Sequence, residues 1–158
     1  MKSLYLGHHP QNTQLGKALR GLSFNLACIH KLFLEDAQTM ASQQLALAIL
    51  DLATFTKQSY RELVSEIQMI ERKPYTKDQA SFCGPKWNGI HALSARTVNG
   101  SAVVKHCAVL EKLVIDAYQR LLKDNNRCAH VKSLLEHQLN GFRYGLARLQ
   151  LLGDVVFS

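Results

Sequence analysis

A chain of 158 residues with 47% apolar side chains has the material for one buried core, and 20% charged residues with 3 prolines exclude a disordered body. The formal charge is +7, but Lys and Arg are spread along the whole chain with no aromatic-studded basic run, which argues against nucleic acid as a partner. No apolar run approaches a membrane span, no apolar signal region follows Lys2, and Cys28, Cys83, Cys107 and Cys128 form no Cys-x-x-Cys pair, so the expectation is a bacterial-type cytoplasmic protein with reduced thiols.

Residues 1–12 read as an irregular leader. Leu15, Leu19, Leu22, Leu26, Ile29 and Phe33 then recur at steps of four and three, the stripe of an amphipathic helix over about 13–39. A second helix is expected at about 42–72, with Leu45, Ile49, Leu52, Leu63, Ile67 and Ile70 inward. Its first half, Leu45 to Phe55, is apolar almost all round and is expected to be deeply buried. Lys73-Pro74 ends it, because the proline ring disfavours helix at the residue before it and proline has no N–H to donate.

Residues 73–88 hold two of the prolines and the single Trp, and read as a long crossover. A short helix at about 89–98 meets the turn pair Asn99-Gly100, with Ser101 as candidate N-cap of a third long helix at about 102–124. That helix carries the stripe Val103, Cys107, Leu110, Val114, Ala117, Leu121 and beside it Val104, Ala108, Glu111, Ile115, Tyr118, Leu122, so it should pack against two neighbours. Asp124-Asn125-Asn126 breaks it. The fourth helix, about 127–152, turns Cys128, Val131, Leu135, Gln138, Phe142, Gly145, Leu149 and Leu152 inward, with Gly153 as its stop and 153–158 as a tail.

Short links make the first and second helices, and the third and fourth, antiparallel neighbours, while the 73–88 segment is long enough to span the bundle. The expected fold is therefore all-α: an antiparallel ferritin-like four-helix bundle over 13–152, with one long crossover and a short extra helix before the third long helix.

Short stretches in each helix carry a resemblance. They are Leu34-Glu35-Asp36, Glu62-Leu63, Ile90-His91 with Asn99-Gly100, Ala108-Val109-Leu110-Glu111-Lys112 followed by Val114-Ile115-Asp116-Ala117-Tyr118, and Glu136-His137-Gln138. Over most of residues 15–151 they resemble a family of bacterial ferritin-like four-helix bundles of unknown function, whose third helix carries Glu-Arg-Gly-Glu-Asp leading into Leu-Lys-Ala-Tyr. Two departures stand out. Ala108 replaces the first Glu of that motif, and Leu146 occupies the place of a His ten residues after the fourth-helix Glu. Both lost groups are polar ones that could serve a site.

A ferritin-type di-metal centre needs Glu-x-x-His on two helices, because that spacing puts both ligands on one inward face. Glu35, Glu62, Glu66, Glu71, Glu111 and Glu136 all lack a His three residues on. Glu111 nevertheless sits on an apolar stripe, where an unpaired charge is costly, so it is expected to have a partner. One candidate is a residual iron, manganese or zinc site formed by Glu35 (or Asp36), Glu62, Glu111 and Glu136; the other is a basic or hydroxyl group across the bundle. No cofactor is predicted. A zinc cluster of Cys128, His130, His137, His106 and Cys107 is weighed down by geometry, since residues 128 and 130 point about 200° apart on a helix. His8-His9 in the leader reads as part of a flexible end.

His91-Ala92-Leu93 echoes a phosphoacceptor helix of histidine-phosphotransfer bundles, but Ser94-Ala95 replace the Lys-Gly pair expected there. No Gly-x-Ser-x-Gly elbow and no Gly-rich phosphate loop occur. The reading is therefore a non-enzymatic ferritin-like bundle acting as a binding, structural or oligomerisation module, partnered by a copy of itself or by another protein. Its rivals are a metal-binding redox or storage bundle using the four carboxylates, and a phosphotransfer or adaptor bundle centred on His91.

Overall fold

A computed structural model describes residues 10–75, 100–124 and 128–157, and every regular element among them is a helix. Helix α1 spans Pro10–Thr39, α2 Gln43–Glu71, α3 Gly100–Asp124 and α4 Ala129–Phe157. The all-α class expected from the hydrophobic periodicity is what the structure has. The crossover beyond Tyr75, the short helix at 89–98, His91 and the His8-His9 pair lie outside the described residues.

Helix α2 has chemistry at both ends. The Ser42 side chain accepts from the Leu45 amide at 3.4 Å, a standard N-cap bond. At the other end Arg72 adopts a left-handed conformation, φ 57° and ψ 36°, and its N–H donates to the Gln68 carbonyl at 2.8 Å. The helix thus closes just before Lys73-Pro74.

Three helix ends differ from expectation. Helix α1 already begins at Pro10, within the expected leader, where a proline is tolerated because first-turn amides have no intrahelical acceptor. Helix α3 begins at Gly100, so Gly100 and Ser101 lie within the helix and not in a turn and a cap. Helix α4 continues through Gly153 to Phe157. Gly153 is not a terminator but a point of close approach: a Cβ there would stand 3.1 Å from Val104 Cγ1 of α3.

The core is built from the expected stripes. Leu19, Leu26 and Phe33 of α1, Ile49 and Leu63 of α2, Leu110 and Val114 of α3, and Leu135 and Phe142 of α4 are fully buried. Each large apolar side chain removed from water contributes about 1.5–3 kcal/mol. Helix α1 lies against α2 and α3, and α4 against α2 and α3. The two-sided apolar face of α3 is thereby used as expected. Helix α4 comes close to α2 because a Cβ at Gly141 would collide with the Phe55 ring and one at Gly145 with Leu52. Phe55 in turn stands edge-on to Phe142, ring centroids 5.0 Å apart.

The first half of α2 departs from its expected burial. Leu45, Ile49, Leu52 and Ala53 are buried, but Leu47 is 54% exposed and Leu50 is exposed as well. Two neighbours cover only part of a helix, and these leucines lie on the side that neither α1 nor α4 reaches.

Candidate functional site

The polar groups of the core fall into separate sets along the bundle. Asp36 follows Phe33 by three residues and Ile29 by seven, which turns it to the same inward side of α1, and it is buried. Its Oδ2 lies 2.6 Å from His106 Nδ1 and accepts from Cys107 Sγ at 3.3 Å. Burial, then the neighbouring Asp36 charge and its hydrogen bond, then Glu111, push the Cys107 thiol well above the usual thiol range. The sulfur is held protonated, which makes it a packing and hydrogen-bonding group and not a nucleophile.

One turn further along α3, Glu111 is 0% exposed and neither carboxyl oxygen has a hydrogen-bond partner among the described residues. Gly145 gives the carboxyl its space, since a Cβ there would sit 3.2 Å from Glu111 Oε1 and against Leu52. Burial raises this carboxyl from 4.5 to about 9. Glu111 is a neutral acid near pH 7.

In the middle of the bundle the Tyr118 hydroxyl donates to Gln138 Oε1 at 2.7 Å, and Gln138 Nε2 donates to Glu62 Oε1 at 3.0 Å and to the Ser59 carbonyl at 3.2 Å. Burial lifts the Tyr118 phenol above its ordinary range, so the hydroxyl stays a donor. Toward the ends, Arg20 Nε donates to both carboxylate oxygens of Glu71 at 2.7 and 2.9 Å, with its guanidinium 5.0 Å over the Tyr75 ring, and His130 pairs with Glu66 at 2.5 Å. A surface groove of about 600 Å³ between α3 and α4, lined by residues such as Val104, Lys105 and Phe157, is separate from these buried groups.

The four carboxylates expected to share a metal are placed as follows. Glu35 and Glu136 are exposed, Glu62 is half-buried on Gln138, and Glu111 is buried without a hydrogen-bond partner among the described residues. The inward acid of α1 is Asp36, the neighbour of Glu35. Among the described residues no three His, Cys, Asp or Glu side chains are grouped to hold a metal ion. The soft-ligand cluster is likewise dispersed, with His106 and Cys107 on Asp36, His130 on Glu66, Cys128 half-buried and His137 exposed. The expectation that Glu111 is satisfied across the bundle is corrected: Leu52 and Gly145 face it, and neither side chain offers a donor.

Sequence reasoning missed the Asp36–His106 and Tyr118–Gln138 bonds. Asp36 and His106 are 70 residues apart, and no local pattern couples them. Phe33 and Ile29 supply the one available signal, because they fix the inward side on which Asp36 falls.

No known protein family, curated protein or solved structure matches this chain. Its functional reading therefore rests on the residues themselves.

Proposed function

We propose that the chain is an antiparallel, ferritin-like four-helix bundle that works as a self-associating structural module and not as an enzyme. Cross-helix pairs support the arrangement. Arg20, early in α1, meets Glu71 at the end of α2, while His30 meets Ala53 further in. Glu66 with His130 and Asp51 with Arg148 run in opposite senses along α2 and α4. Tyr118 with Gln138, and Val104 beside Gly153, do the same for α3 and α4. These pairs fit α1 and α4 running one way and α2 and α3 the other, which requires a crossover as long as the bundle, the ferritin-like connectivity.

The observation that carries self-association is the outer face of α2 and α4. Leu47, Tyr144, Leu151 and Val155 are all more than half exposed, Leu151 by 67%. They flank the exposed Arg148–Asp51 bridge of 2.7 Å, which ties the two helices' stripes into one surface. Large apolar side chains left exposed beside one charge pair are what a monomer avoids presenting to water. The occupant is a second copy, because the patch carries one base and one acid side by side. A two-fold axis through it sets Arg148 against the partner's Asp51 and leucine against leucine.

Sedimentation velocity on untagged protein tests this. A dimer is expected, and the double substitution Leu151→Glu with Val155→Glu is expected to give a monomer of unchanged helix content. A wild-type chain that stays monomeric at its highest soluble concentration would overturn the reading.

A further inference from the structure

The seam beneath that face has an unusual filling. Glu111 reaches from α3 to the contact between α2 and α4, where Leu52 and Gly145 close around its carboxyl. It is wholly excluded from solvent, and among the described residues both oxygens lack a partner. We infer that Glu111 is an internal proton site whose ionisation opens the seam between α2 and α4.

The argument follows from what faces the carboxyl on each helix. On α3 Cys107 lies one turn earlier on the same side and is influenced by Glu111, and on α1 Asp36 is bonded to His106 and to Cys107. Neither provides positive charge at the carboxyl. Helix α2 presents Leu52, and helix α4 presents Gly145, which has no side chain at all. Asp51, next to Leu52, and Arg148, three residues from Gly145, are bonded to each other on the outer surface.

With a proton the carboxyl is tolerated in this apolar wall. Without it a full negative charge faces hydrocarbon, and the way to relieve it is to admit water. At Gly145 α4 contributes no side chain to the wall, and Leu52 of α2 occupies that space beside the carboxyl. Water therefore enters by parting α4 from α2. Asp51 adjoins Leu52 and Arg148 is three residues from Gly145, so the same movement shifts the groups that form the docking face. This last consequence rests on the dimer reading above; the opening of the seam does not.

The sign of the effect is fixed by linkage. The unfolded chain releases this proton near 4.5 and the folded chain keeps it to about 9, so stability is lost as pH rises between those values. Across that interval the folding constant falls about tenfold per pH unit from this group.

The test compares wild type with Glu111→Gln, which keeps the shape and cannot ionise, and with Glu111→Leu in case the amide is poorly accommodated. Urea denaturation at pH 6 and pH 8 is expected to show the wild-type folding constant falling about 100-fold more than that of either variant. Hydrogen exchange, corrected for intrinsic base catalysis, is expected to quicken at residues 48–56 and 141–149 in alkaline wild type and not in the variants. Parallel pH profiles for all three proteins would overturn the inference. Sedimentation at the same pH values separates the two readings. If every protein is monomeric throughout, the dimer falls, while the denaturation profiles still decide the role of Glu111.

Discussion

Asp36 and Glu111 are equally removed from solvent, yet Asp36 shares one oxygen with His106 and Cys107, whereas Glu111 faces a leucine and a glycine. Depth alone therefore does not decide how a buried acid is bonded in this bundle. Donors do. Where the opposite helix offers an imidazole and a thiol, the buried acid is hydrogen-bonded; where Glu111 meets hydrocarbon, its carboxyl keeps its proton.

The contrast can be broken most sharply at Asp36. Asp36→Ala leaves His106 and Cys107 facing an empty place in the core, and a loss of about 3–5 kcal/mol is expected by urea denaturation at pH 7. The mirror experiment at Glu111 has the opposite sign. Glu111→Leu removes a group that disfavours folding above its unfolded value of 4.5, so at pH 7 a gain of about 3 kcal/mol is expected, shrinking toward zero below pH 4.5. Denaturation over a pH series checks both size and slope.

Smaller substitutions sharpen the contrast from its surroundings. Gly145→Ala drives a methyl into Leu52 and toward Glu111, and about 1–3 kcal/mol of destabilisation is expected, read as a lowered Tm. Tyr118→Phe removes the donor to Gln138 Oε1 and should cost about 1–2 kcal/mol, because the rest of that network keeps its partners. Arg148→Ala breaks an exposed pair, for which monomer stability should change by less than about 1 kcal/mol. Its larger effect should be on sedimentation, where the docking face is read directly.

What could be read from the residues divides along physical lines. The stripe from Leu15 to Phe33 and the stop at Lys73-Pro74 were legible, because periodicity and proline sterics act within a few residues. Gly100 opens α3 where a turn was expected, and Gly153 was misread as a terminator, since a glycine's use depends on what approaches it and Val104 lies on another helix. Glu35 and Asp36 are adjacent, and the 100° between them decides which faces inward; a short motif does not resolve that rotation. Glu111 was conspicuous on its apolar stripe, but its isolation depends on how α2 and α4 are aligned. Leu47 and Leu50 were assigned to the interior because an apolar run reports the wish for burial and not which partner supplies it.

Gly141 and Gly145 also govern that alignment. Phe55 and Leu52 enter two notches spaced one turn apart on α4, like teeth meeting a rack. Sliding α4 by one turn, about 5.4 Å, leaves at least one of those side chains opposed by another side chain instead of a notch. Volume, not attraction, selects the register, and a chain assembling along this edge finds one setting in which both teeth engage.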